Sequence, residues 1–113
     1  MPTKAAFDAT GIGKLIIDEA IRRAGIVWEN IRKAAPIYIR GFAQTLADVA
    51  AGVVKGEITK KDAAMFVRNA RLLLIMGIAN TTQTVLVQVQ AFMDSVLKAV
   101  KSSINGALPI AIL

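Results

Sequence analysis

Basic side chains in the second half of the chain are the residues best suited to bind a ligand. Lys61, Arg68 and Arg71 recur at a spacing that places them on one side of a helix, with little acidic compensation. Lys98 and Lys101 repeat this pattern further along. Such a stripe can contact phosphate groups or anionic lipid headgroups, although a run of surface charge is more often only solvated. We predict an anion contact at these positions; a nucleic-acid contact there would be nonspecific, because no base-stacking platform is apparent.

The side chains that most enzymes use for acid–base or nucleophilic catalysis are missing. The chain has no His and no Cys, which excludes imidazole bases, thiol nucleophiles and the usual zinc and copper sites. Asp18 and Glu19 are adjacent, so they point in different directions from a helix and cannot form a carboxylate pair. Residues 11–14 (GIGK) end like a phosphate loop, but Leu15 replaces the Ser or Thr that would reach the metal. The sequence predicts a protein that is not an enzyme, with no cofactor, metal or small-molecule substrate.

The composition indicates a folded chain with more apolar surface than it can cover. Of the 113 residues, 55% are hydrophobic, and the net charge is +6. This apolar content excludes intrinsic disorder, and the length is that of one domain. A chain of this size buries only about 60–70% of its unfolded surface. We therefore expect part of the apolar surface to meet another subunit or a lipid phase.

Apolar periodicity divides the chain into three predicted helices, over residues 14–34, 36–55 and 59–104. Pro36 begins the second helix and Gly56 ends it, whereas Thr59 with Asp62 is typical of a helix start. The first two helices laid end to end match the third, which would be about 70 Å long at ~1.5 Å per residue. The predicted fold is all-α: a long helical hairpin of two end-to-end helices antiparallel to one long helix, packed in a homo-oligomeric bundle. The whole chain forms a single domain that ends in an apolar tail, residues 105–113.

The third predicted helix carries a stripe of small and polar residues opposite an apolar stripe. Gly77, Thr81, Thr84 and Gln88 follow one another at spacings of four, three and four residues. This stripe could face water, with the apolar stripe as the core of the hairpin. It could instead form a close contact between subunits or line a channel. With the apolar tail, which we expect to be covered, the predicted oligomer interface is Gly77, Thr81, Thr84, Gln88, Val89, Phe92, Val96, Leu108, Ile110, Ile112 and Leu113.

The segment between Arg71 and Asp94 contains 22 residues without a charge, which is long enough to span a bilayer. Its centre, residues 80–84, is a run of five polar residues, and polar groups are most costly at that depth. A single lipid-facing span is therefore disfavoured, but a span inside a bundle stays open, because neighbouring helices could satisfy those groups. The alternative function is a membrane-active helical bundle, holin-like or pore-forming, that inserts through residues 72–93.

Residues 47–64, with the sequence ADVAAGVVKGEITKKDAA, join a helix stop to a helix start. This stretch resembles the helix, Gly-Glu-Ile-Thr turn and helix of small all-helical proteins in tailed-phage particles. The resemblance implies an internal, tail or ejected component of a bacteriophage virion, with other virion proteins as partners, and it transfers no functional residues. We expect a non-enzymatic structural subunit that forms a homo-oligomer. Its expected location is the virion, or otherwise the cytoplasm or a membrane.

Overall fold

The computed structural model describes residues 9–113, and this part of the chain contains helices and no strand. The predicted all-α class is therefore confirmed. The five helices are α1 (Ala9–Arg23), α2 (Gly25–Ile31), α3 (Ala35–Val54), α4 (Lys60–Thr82) and α5 (Leu86–Ala107).

The four longer helices form a closed ring of neighbours around one core. α1 contacts α3 and α5, and α4 contacts the same two helices, so α1 and α4 lie across the ring from each other. The short α2 contacts α1, α4 and α5. No polar or charged residue is buried among the described residues. Large aliphatic side chains from every helix fill the core, among them Ile12, Ile16, Ile31, Ile39, Leu46, Ile78, Met93, Leu97 and Ile104.

The predicted third helix, 59–104, is wrong as a single helix, because the chain folds back on itself at residues 83–85. Gln83 adopts a left-handed conformation with φ 55°, and the N–H groups of Gln83 and Thr84 both donate to the Ala79 carbonyl. The Thr82 hydroxyl donates to the Ile78 carbonyl at 2.8 Å and also lies 2.8 Å from the Thr84 hydroxyl. Short polar side chains of this kind offer the backbone a local alternative to helical hydrogen bonds. The polar residues 80–84 therefore end α4, and α5 can then pack back against α4.

The first predicted helix, 14–34, also differs from the structure. It begins earlier, at Ala9, and is interrupted after Arg23. Ala24 has φ 49° and Gly25, the first residue of α2, has φ 93°, and these two positive φ values turn the chain where α2 starts. Gly25 adopts its φ without steric cost, whereas the Cβ of Ala24 makes its φ unfavourable. Residues 1–8 lie outside the described part.

The predicted helix boundaries around the α3–α4 turn are confirmed. α3 carries its proline in the first turn and ends at Val54, before Gly56 with φ 78°. The Thr59 hydroxyl accepts from the Asp62 N–H at 3.0 Å, and the Asp62 carboxylate accepts from the Thr59 N–H at 3.4 Å. This reciprocal capping box satisfies two backbone donors at the start of α4.

Candidate interaction surfaces

The outer side of α4 is apolar although it is exposed to solvent. Leu73 keeps 69% of its surface in water, and the other large side chains on this side keep about half. Spacings of three and four residues align them along one side of the helix. Asn69 and Asn80 lie among these apolar residues, and the exposed Arg68 borders them, four residues before Leu72. Amphipathic helices of a globular protein normally turn a charged side outward, so this exposure calls for a functional explanation.

The exposed apolar residues continue from α4 across the turn into α5. Val85 and Val87 are 59% and 66% exposed. A groove lined in part by Met76 and Leu86 joins the two helices at this point. We call the whole set the apolar surface; it comprises Met65, Phe66, Leu72, Leu73, Met76, Val85, Leu86 and Val87.

A groove between α3 and α4 borders the apolar surface. It has a volume of about 350 Å³ and is lined mainly by apolar and aromatic side chains, including Phe42, Phe66 and Leu73. Eight large apolar residues are each about half exposed or more on this surface. Large exposed apolar patches mark interaction sites on proteins.

Gly77 and Thr81, which the sequence placed in a contact between subunits or in a channel lining, make a contact inside the chain. The Tyr38 hydroxyl from α3 lies 2.7 Å from the Thr81 hydroxyl, within hydrogen-bonding distance. A Cβ added at Gly77 would lie 2.7 Å from Cδ1 of the Tyr38 ring and closer still to Cε1. Gly77 therefore permits the Tyr38 ring to lie directly on the α4 backbone. The other two residues of this stripe lie elsewhere: Thr84 bonds to Thr82, and Gln88 is exposed.

Three further residues of the predicted oligomer interface fill the chain's own core. Val89 and Val96 are 0% exposed and Leu108 is 6% exposed, so they have no surface left for a second subunit in this structure. Phe92 is partly buried and stacks on Trp28 of α2, with ring centroids 6.2 Å apart. The sequence correctly indicated an apolar stripe, but these residues pack against other residues of the same chain.

The apolar tail is covered by its own chain as well. Ile110, Ile112 and Leu113 are partly buried and pack against the hydrophobic core. The Asn105 side-chain oxygen accepts from the backbone N–H groups of Ile112 and Leu113, at 3.2 and 3.0 Å. This polar clamp turns the tail back toward α5, so the tail is part of the subunit.

Three of the five predicted anion-contacting residues line one pocket between α4 and α5. Arg71, Lys98 and Lys101 surround a volume of about 390 Å³ together with Asp94, and we call this the basic pocket. Arg68 shares a smaller neighbouring pocket of about 230 Å³ with Arg71. Lys61 lines neither. The fold thus gathers most of the basic residues that the sequence singled out.

The described residues contain no group of three acidic, His or Cys side chains placed to hold a metal ion. No helix between residues 9 and 113 has both the length and the apolar character required to cross a membrane. Segment 72–93 is divided between α4 and α5, and its residues Ile78, Val89 and Met93 are buried in the core. The chain matches no family model, no curated protein and no solved structure.

Proposed function

We propose that the protein is a non-enzymatic assembly subunit whose copies associate through the apolar surface. The observation that carries this proposal is the exposure of large apolar side chains along α4 and across the α4–α5 turn. Burial of such side chains contributes about 1.5–3 kcal/mol each when it is complete.

The central part of the apolar surface is poor in charge. Each copy carries a net charge of +6, so contact between two copies is opposed least through such a surface. An acidic partner would be recognised by Lys or Arg within its binding surface. The polar positions within the apolar side of α4 are instead Asn69 and Asn80. A neutral apolar surface of this kind suits self-association.

The shape of the region also suits a symmetric pair. A twofold interface uses the same patch on both subunits, so the patch must contain both a projection and a recess. Leu73 projects from α4, and the groove of about 350 Å³ between α3 and α4 lies beside it. We infer that the exposed side chains of one α4 enter the groove of the other copy.

Assembly of such subunits inside a phage particle stays a prediction from the resemblance of residues 47–64. Segment 72–93 is divided by a turn and contributes several residues to the core, which supports assembly over the membrane-active alternative.

Replacing Leu73 by Lys tests the proposed interface. Wild-type protein is expected to sediment as a dimer or larger species at micromolar concentration, compared with 12.0 kDa for one chain. Leu73→Lys places a charge at the centre of the apolar surface, so we expect the dissociation constant to rise at least about tenfold, since desolvating an unpaired charge is costly. Sedimentation velocity measures association, and circular dichroism checks that the helix content is unchanged.

Ile21→Lys is the matched control. Ile21 is a similarly exposed aliphatic residue on α1, across the ring from α4, and its replacement adds the same charge. Association should survive this change. A monomeric wild-type protein, or equal dissociation by both variants, would refute self-association through the apolar surface.

A further inference from the structure

The basic pocket carries more positive charge than the chain neutralises. Arg71 from α4 faces Lys98 and Lys101 from α5, because the two helices are antiparallel neighbours. The single acidic side chain in the lining, Asp94, lies 4.0 Å from Arg71. Among the described residues, neither lysine has a carboxylate within ion-pair distance. Among the lining side chains, three cations therefore face one anion.

Some other basic residues of the described chain are paired with a carboxylate on the same helix. Lys14 lies 2.8 Å from Asp18, Arg23 lies 3.0 Å from Glu19, and Arg32 lies 3.2 Å from the carboxylate of Glu29. Each of these pairs is local, between residues one helical turn apart, and each neutralises the cation on the surface. The basic pocket instead assembles cations from two helices around a recess.

The guanidinium of Arg71 has unused hydrogen-bonding capacity. Its Nε atom is buried and no acceptor between residues 9 and 113 bonds to it, while 40% of the side chain is exposed. A buried donor without an acceptor is unfavourable, and more so when it is charged. Arg presents its donors as a planar fork that matches two oxygens of a phosphate, whereas Lys acts as a point charge beside them. An oxyanion in this recess would contact both the planar fork of an Arg and the point charges of Lys side chains.

We propose that the basic pocket binds a phosphate group. Arg71 would donate to two of its oxygens, and Lys98 and Lys101, one helical turn apart on α5, would neutralise the remaining charge. The apolar side chains of Leu97 and Leu113 complete the lining, and their low polarizability reduces the screening of these interactions by water. The volume of about 390 Å³ is large enough for a phosphate and several waters.

The lining indicates that the phosphate itself is recognised and not an attached base. No aromatic side chain lines the basic pocket, so it offers no platform for stacking a nucleobase. The phosphate could be free or part of a nucleic-acid backbone, and backbone contacts of this kind carry no sequence information. This inference is independent of self-association, because it uses other residues than the apolar surface.

Binding can be measured on the full-length ¹⁵N-labelled protein by titration with inorganic phosphate at constant ionic strength. We expect saturable shifts of backbone amides near residues 71, 94, 98 and 101. The variant Lys98→Gln/Lys101→Gln should weaken phosphate binding at least about tenfold, because it removes two of the three cations. Lys33→Gln/Lys55→Gln removes the same charge from exposed positions outside the basic pocket and should change the affinity less than about twofold.

Asp94→Asn gives a change of opposite sign. Removing the one side-chain carboxylate of the lining should strengthen phosphate binding severalfold, a gain that misfolding could not produce.

A short single-stranded DNA distinguishes the source of the phosphate. If the pocket takes backbone phosphates, the oligonucleotide binds more tightly than free phosphate and is displaced by it; if the ligand is free phosphate, the oligonucleotide does not compete. Absence of saturation by both ligands, or equal losses in the two lysine pairs, would overturn the proposal.

Discussion

Replacing Ile78 by Ala is expected to lower the free energy of unfolding by about 2–5 kcal/mol. Ile78 is 0% exposed and lies in the core of the chain, where α4 packs against its neighbours. The substitution removes buried methyl and methylene groups and leaves a cavity that the surrounding helices fill only in part. For a domain of this size, each kcal/mol corresponds to a decrease of roughly 4–8 °C in the melting temperature. Urea denaturation followed by circular dichroism measures the effect.

Ile21→Ala provides a control with the same chemical change. Ile21 is 53% exposed on α1, so the identical truncation should alter the free energy of unfolding by no more than about 0.5 kcal/mol. The comparison tests whether the uncharged segment 72–93 belongs to the subunit's own core. Equal losses from the two substitutions would contradict the packing of α4 described above.

Helix boundaries that depend on local chemistry were predictable from the sequence. The Thr59–Asp62 capping box, the proline in the first turn of α3 and the glycine after Lys55 act through neighbouring backbone groups, which the sequence displays directly. The interruption at residues 83–85 was harder to predict, because a run of polar residues is compatible with an exposed part of a helix. Whether the helix is interrupted there depends on the free energy gained when α5 packs against α4 and α1, and this tertiary contribution is not visible in the local sequence.

The position of the apolar surface could not be deduced from periodicity. α4 carries apolar residues on two sides, with Leu74 and Ile78 buried and Leu73 and Met76 exposed. Both sets have helical spacing, and spacing does not reveal which set meets the core. The same ambiguity placed Val89 in a contact between subunits, since a stripe for an internal partner and one for a second copy have the same period.

The basic pocket shows what the fold adds to a charge pattern. The sequence singled out Arg71, Lys98 and Lys101, but in one straight helix the first would lie about 40 Å from the other two, at ~1.5 Å per residue. The turn at residues 83–85 brings these three side chains around a single recess. The prediction of an anion contact therefore named suitable residues, while their convergence required the fold.

Replacing Gly77 by Ala is expected to destabilise the protein by about 1–3 kcal/mol, the usual cost of overpacking. The new methyl group would overlap the Tyr38 ring, whose Cδ1 atom would lie only 2.7 Å from the added Cβ. The ring must then move, and its hydroxyl must separate from the Thr81 hydroxyl, now 2.7 Å away. Helix propensity alone would favour Ala over Gly by about 0.8–1 kcal/mol. A net loss therefore measures the close contact between α3 and α4.

Gly41→Ala and a Tyr38→Ala background separate these two effects. Gly41 lies within α3, and an added Cβ there meets no atom within 4 Å, so Ala should raise the free energy of unfolding by about 0.5–1 kcal/mol. In a Tyr38→Ala background the obstacle at residue 77 is gone, and Gly77→Ala should become neutral or stabilising, a reversal that a double-mutant cycle detects. Stabilisation by Gly77→Ala in the wild-type background would instead show that the Tyr38 ring does not rest on the α4 backbone.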